Sequence, residues 1–258
     1  MNFDELDSRL RAYETAHDRC VPPGVHIVAR LDGRGFTRLT KEILPLEAPF
    51  DVRFHAMMLE VTQHLMQCGF RALYGYTQSD EISILLHPEA DAFGRKVRKI
   101  VSLLAGEASG VASLRLGRAV AFDGRLCELP SREIVVDYFR WRQEDAGRNA
   151  LSAQAYWLLR RDGLAPREAS ASIEGSSSEE KQTLLAARGI DFSATPAWQR
   201  LGTGVRWQTV RVAGVDPRTG QSASAERKRL LIEEKLPRGE AYSAYLRELQ
   251  ACDAEIGE

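Results

Sequence analysis

Short apolar runs of strand length alternate with helix-period stripes along the first half of the chain. Residues 3–17 read as an amphipathic helix, closed by Val21-Pro22-Pro23-Gly24. An apolar run over 25–31 predicts a strand, followed by a loop with Gly33, Gly35, Pro45 and Pro49. Phe54, Met58, Val61 and Leu65 then recur at spacings of four, three and four, the stripe of one helix face. Pro49 reads as the first-turn proline of that helix, with Asp51 close behind, and Gly69 as its stop. Two strands are expected at about 71–77 and 82–87, joined tightly through Gln78-Ser79-Asp80. A second helix is predicted over 91–105, its stripe Phe93, Val97, Ile100 and Leu104, with Arg95 among the residues mostly outside. A strand near 118–122 leads into Asp123-Gly124-Arg125, read as a turn. The order is β-α-β-β-α-β, a ferredoxin-like α+β pattern.

Beyond residue 130 the pattern changes. A long helix is expected over 131–161, shorter ones over 166–173 and 178–188, and a last one near 239–250. Ser177 and Glu180 have the spacing of a capping box, and 174–180 reads as a mobile link. Strands near 204–212 and 227–235 flank the turn Asp216-Pro217-Arg218-Thr219-Gly220. Two regions follow: a catalytic one over 1–130 and a helical and β-hairpin one over 131–258, packed on it.

Ferredoxin-like topology makes the first and third strands central, adjacent and antiparallel. The end of one then lies beside the start of the other, which brings Asp32 to Asp80. Paired carboxylates at a strand end, beside a Gly33 carbonyl, are what Mg²⁺ needs to hold a nucleoside triphosphate. Asp-Gly and Ser-Asp are equally common as plain turn chemistry. If Asp80 faces the site, Glu81 points to the other face of the sheet. Arg34-Gly35-Phe36 can present backbone N–H groups to phosphates, and Arg30, Arg38 and Lys41 are candidate cations. On the long helix, Arg142, Asp145, Asn149 and Ser152 share one face. That stripe suits phosphate binding or a salt-bridge network.

Composition narrows the classes. The 258 residues are 44% hydrophobic and 28% charged, with a net charge of −1, unlike a strongly basic general nucleic-acid binder. No run reaches the roughly 18 apolar residues of a membrane span, and the charged N-terminus is unlike a signal peptide. Cys20, Cys68, Cys127 and Cys252 show no CxxC spacing, which points to reduced thiols and a cytoplasmic location. His17, His26, His55, His64 and His87 show no metal-ligand spacing.

Several separate motifs, taken in order, carry a resemblance. They are Arg30-Leu31-Asp32-Gly33-Arg34-Gly35-Phe36, then Pro49 with Asp51, then Gly75-Tyr76-Thr77-Gln78-Ser79-Asp80-Glu81. Phe122-Asp123-Gly124-Arg125 and Trp141-Arg142-Gln143 with Asp145 and Asn149 follow. Together they closely resemble the tRNA-His guanylyltransferase family. The runs EGSSSEEKQTLL and PRTG are most similar to its bacterial guanylyltransferase-like branch. The resemblance implies a polymerase-palm catalytic domain that adds nucleotides to the 5′ end of tRNA in the 3′-5′ direction, and a possible homotetramer. It implies two Mg²⁺ ions on Asp32, the Gly33 carbonyl and Asp80, with Ser79 and Glu81 at the catalytic site. The loop Gly33, Arg34, Gly35, Phe36, Thr37 and Arg38 would bind the GTP or ATP triphosphate together with Ser79 and Asp80. Arg30, Arg125, Arg142, Asp145, Asn149 and Lys181 would contact RNA or nucleotide. Ala48, Thr37, Gly147 and Arg148 depart from the family pattern, which favours repair of 5′-truncated tRNA over dedicated addition to tRNA-His. A nucleotide cyclase, or a non-catalytic RNA- or nucleotide-binding protein, is the alternative.

Overall fold

The computed structural model describes residues 1–252 apart from 216, 217, 219 and 220, so most of the turn expected over 216–220 lies outside the described residues. Helix α1 (Phe3–Thr15) precedes strand β1 (His26–Gly33), helix α2 (Val52–Leu65), strands β2 (Ala72–Gln78) and β3 (Glu81–Leu86), helix α3 (Val97–Leu116) and strand β4 (Phe122–Leu129). These are the predicted β-α-β-β-α-β elements, with spatial order β4-β1-β3-β2. All pairings are antiparallel.

Strand alternation divides the core into two faces. Ile27, Ala29, Leu31, Ile82, Ile84 and Leu86 pack with Met57, Met58, Val61 and Leu65 of α2 and Ile100, Leu104, Ala108 and Ala112 of α3. The intervening residues Val28 and Leu85 point the other way. With Tyr74 and Tyr76 of β2 they meet helix α4 (Arg132–Arg161) through Val135, Val136 and Phe139. Helix α8 (Glu240–Cys252) adds Tyr242 and Leu246 to that face. The result is a helix-sheet-helix sandwich.

The C-terminal half extends the same sheet. Strand β5 (Thr203–Val215) pairs with β2 through Thr203 to Arg206, then continues as a long ribbon with β6 (Ser222–Glu233). Helix α4 spans 30 residues, about 45 Å at the α-helical rise. Its second half carries α5 (Pro166–Ile173), α6 (Ser178–Ala186) and α7 (Ala197–Leu201). Ser177 and Glu180 do form a capping box at the start of α6. Residues 178–180, expected in a mobile link, are therefore the first turn of that helix.

Four local readings are corrected. Asp123-Gly124-Arg125 is not a turn: it lies inside β4, paired with Asp32, Leu31 and Arg30 of β1. Gly124 is there for clearance, since a Cβ would sit 2.9 Å from the Leu31 side chain and 3.3 Å from that of Val101. Gly124→Val is therefore expected to destabilise by about 1–3 kcal/mol, seen as a lower thermal midpoint. Pro49 lies before the α2 N-cap, which is Asp51, whose carboxylate accepts from the Arg53 and Phe54 N–H groups. Phe93 is half exposed in a 3₁₀ turn ahead of α3 rather than on its stripe. Arg95 is buried, donating to the carbonyls of Val21, Val25, Pro88 and Ala90. The local pattern could not reveal these carbonyls, because they converge from separate segments.

Candidate functional site

The strand ends of β1 and β3 meet as the topology requires. Asp32 is opposite Glu81 in the register, and the Gly33 N–H donates to the Asp80 carbonyl at 3.1 Å. Asp80 sits in the two-residue turn between β2 and β3. Its partner there, Ser79, adopts φ 49°, a left-handed conformation costly for a residue with a side chain. The Ser79 hydroxyl donates to the Asp80 carboxylate at 3.1 Å. Burial pushes the Asp80 carboxyl above its ordinary range, and the neighbouring charge of Asp32 adds to the rise. A nearby cation would relieve both effects.

Glu81, the cross-strand partner of Asp32, shares its face of the sheet, the one turned to α4, and is buried. Arg142 of α4 grips both its carboxylate oxygens, with Nε and Nη2 each at 2.7 Å. Arg30 of β1 adds a third contact at 2.7 Å. Arg142 also donates to Asp145 at 3.0 Å, and Asp145 accepts from Asn149 at 3.2 Å. The polar stripe of α4 is thus largely a network that clamps the helix to the sheet beside the Asp32–Asp80 pair. Arg142 is buried, and its Nε and Nη2 are held by the Glu81 and Asp145 carboxylates.

The glycine-rich loop is tighter than its sequence suggests. Gly33 avoids a side chain because a Cβ would fall 2.5 Å from the Phe36 ring. Phe36 is itself buried, edge-on to Phe54 and Phe122. The Gly33 and Arg34 amides are used by the Asp80 and Ala121 carbonyls. Gly35, with φ 73°, turns the chain into a short helix, Phe36–Arg38. A π-helical turn, Leu39–Ile43, continues it.

A cavity of about 240 Å³ opens beside Asp80, between this loop, the Ser79 turn, α4 and α7. Phe36, Thr37, Ser79, Asp80 and Asn149 are among the candidate residues that line it. Lys41, one of the candidate cations, lines it too, whereas sequence reasoning missed other walls, which include His55, Trp157 and Trp198. His55 stacks on Trp198 with ring centroids 4.2 Å apart, and Phe50 meets the same indole edge-on. These residues come from separate segments, so no spacing rule links them. Ala48 lines the cavity too. Gly147 faces α7, where a Cβ would meet the Arg200 carbonyl at 3.4 Å.

The remaining candidates lie elsewhere. Arg34 is exposed, Arg38 pairs with Glu42 at 3.3 Å, and Arg125 pairs with Asp123 at 3.4 Å within β4. Lys181 donates to Ser152 at 3.2 Å and joins α6 to α4. Among the described residues, no group of three or more His, Cys, Asp or Glu side chains gathers to hold a metal. Two carboxylates suffice for Mg²⁺, which usually completes its octahedron with water and substrate phosphates. No described helix is long and apolar enough to cross a membrane.

Residues 7–130 match the family model described as tRNAHis guanylyltransferase, and residues 133–239 match that described as Thg1 C terminal domain. A probable tRNA(His) guanylyltransferase of Drosophila melanogaster is 33% identical over 72% of this chain and 68% of its own length. The tRNA(His) guanylyltransferase of Debaryomyces hansenii is 30% identical over 82% and 86%. Among solved structures, a bacterial tRNA(His) guanylyltransferase-like protein in complex with GTP superposes with a TM-score of 0.74 at 23% identity, covering 96% of this chain and 99% of that one. A complex with ATP gives 0.73 at 24% identity, covering 95% and 98%. These two likenesses concern the fold.

Proposed function

The chain belongs to the tRNA(His) guanylyltransferase family of 3′-5′ nucleotidyltransferases, and on that premise we propose that it extends the 5′ end of tRNA in a Mg²⁺-dependent reaction. The observation that carries this reading is the meeting of Asp32 and Asp80 at one sheet end, beside a cavity of about 240 Å³. Asp32, Asp80 and the Gly33 carbonyl would hold the metal. Bound Mg²⁺ would stabilise the attacking hydroxyl and the departing phosphate as a Lewis acid.

The chain's own residues do the positioning that dominates phosphoryl transfer. The cavity takes the nucleoside triphosphate; GTP and ATP, held in the neighbours' complexes, are the nucleotides we assign to it. Ser79 fixes the rotamer of Asp80 through its hydroxyl. Glu81, for which the resemblance implied a catalytic place, is on this reading a positioning residue: its ion pair with Arg142 anchors the backbone carrying Asp80. Two transfers are expected. An RNA 5′-monophosphate first attacks ATP or GTP and releases pyrophosphate. The 3′-hydroxyl of the incoming nucleotide then attacks the capped 5′ phosphorus, a P–O bond forms, and the nucleoside monophosphate leaves. An RNA that already carries a 5′-triphosphate needs only the second transfer, with pyrophosphate leaving.

Where templating strand is present, base pairing selects the nucleotide, so we assign 5′-truncated tRNA as substrate. The test incubates 5′-labelled tRNA lacking its first nucleotide with Mg²⁺ and all four NTPs. One-nucleotide extension complementary to the 3′ strand is expected. Absence of any longer product, with both 5′-mono- and 5′-triphosphorylated RNA, would refute the assignment.

A further inference from the structure

Four cations near the glycine-rich loop were candidates for a triphosphate partner: Arg30, Arg34, Arg38 and Lys41. The structure separates them. Arg30 is bound to Glu81, and Arg38 pairs with Glu42 along its own turn. Arg34 is exposed and does not line the cavity. Lys41 is the one Lys or Arg among the cavity-lining residues, whereas Glu47, Asp51 and Asp80 line it as carboxylates. A triphosphate entering those walls meets acid on several sides. Even with Mg²⁺ on Asp80, its terminal phosphates need a further positive partner.

The setting of Lys41 suits that task. It rises from the π-helical turn Leu39–Ile43, an irregularity found often at functional sites. Its ammonium lies 4.8 Å above the Tyr156 ring centroid on α4, next to the wall residue Trp157. A cation–π contact at an exposed site contributes only about 0.5–1 kcal/mol. Phosphate oxygens would draw the ammonium off the ring with a stronger, charge-assisted bond. We propose that Lys41 is the triphosphate-binding cation of this cavity, held over Tyr156 until the nucleotide arrives. The inference rests on the nucleotidyltransferase reading above and singles out, from the candidate cations, the one that packing places in the cavity wall.

The test measures binding without chemistry, by calorimetry or tryptophan fluorescence, for a non-hydrolysable ATP analogue, ADP, AMP and adenosine in the presence of Mg²⁺. In the wild type, affinity should fall as phosphates are removed. Lys41→Ala should weaken the triphosphate analogue about ten- to a hundred-fold and leave AMP and adenosine unchanged, so that the ladder flattens. Lys41→Arg should restore most of the difference. An unchanged thermal midpoint would show that the exposed side chain is not needed for folding. Triphosphate binding by Lys41→Ala equal to wild type overturns the assignment. So does an equal loss for AMP and the triphosphate, which would mark Lys41 as merely a wall residue. A wild type that binds none of the four ligands would sink the nucleotide site itself, and this inference with it.

Discussion

Asp32→Ala and Asp80→Ala should each lower 5′ extension by about a thousand-fold or more, while RNA binding survives. Two carboxylates share one task at the ends of β1 and β3, and losing either removes charge stabilisation of several kcal/mol from the transition state. The companion measurement is stability. Asp80 is held in a partly buried place, beside a like charge, that raises its proton affinity in the folded protein. A carboxyl with a raised folded pKa weighs against folding once pH exceeds its unfolded value, and the burden is fully present above the folded value. At neutral pH and without divalent ions, Asp80→Asn should therefore unfold at the same or a higher temperature than wild type. Added Mg²⁺ should raise the midpoint of wild type more than that of Asp80→Asn. Loss of activity together with a lowered metal-free midpoint would mean that Asp80 is a structural turn residue. Full extension activity in either alanine variant would remove the carboxylate pair from the mechanism.

That pair was legible because two periodicities are strong here. The α2 stripe and the short apolar strands fix the β-α-β-β-α-β order, and the order alone carries Asp32 to Asp80 across 48 positions of sequence. Strand parity alone sent Glu81 away from the site, whereas the register sets it opposite Asp32 and on the same face. What remained hidden depends on tertiary neighbours. Asp123-Gly124 has the composition of a turn, yet pairing with β1 and the crowding of Leu31 and Val101 make it a strand interior. Arg95 looks like a solvated helix residue until Val21, Val25, Pro88 and Ala90 present their carbonyls to it. The cavity drew His55, Trp157 and Trp198 from different elements, and no periodicity joins them. Chemistry held by one sheet register can be read from a sequence. Chemistry assembled by packing α4 and α7 against a loop cannot.

The second large effect belongs to the network beside the carboxylates. Arg142→Ala is expected to destabilise the protein by about 3–5 kcal/mol, because Glu81 is left buried with its bidentate partner gone. For a chain of this size that corresponds to a midpoint lower by roughly 6–20 °C. Arg142→Lys should recover little, since one ammonium cannot reproduce two parallel N–H donors to both oxygens of Glu81 plus a third contact to Asp145. The double variant Glu81→Leu with Arg142→Leu separates stability from positioning. Removing both charges takes away the uncompensated ion, so much of the midpoint should return. Activity should not return with it. Glu81 adjoins Asp80 in sequence and faces Asp32 in the register, so its grip on α4 sets where both carboxylates stand. Displacements near 1 Å at a reacting centre cost on the order of a hundred-fold. The double variant should thus fold and bind nucleotide but turn over ten- to a hundred-fold more slowly, with KM nearly unchanged. A midpoint for Arg142→Ala within about 2 °C of wild type would show that solvent reaches Glu81 and that the pair adds little to stability. Wild-type turnover in the folded double variant would show that the carboxylates hold their places without this network.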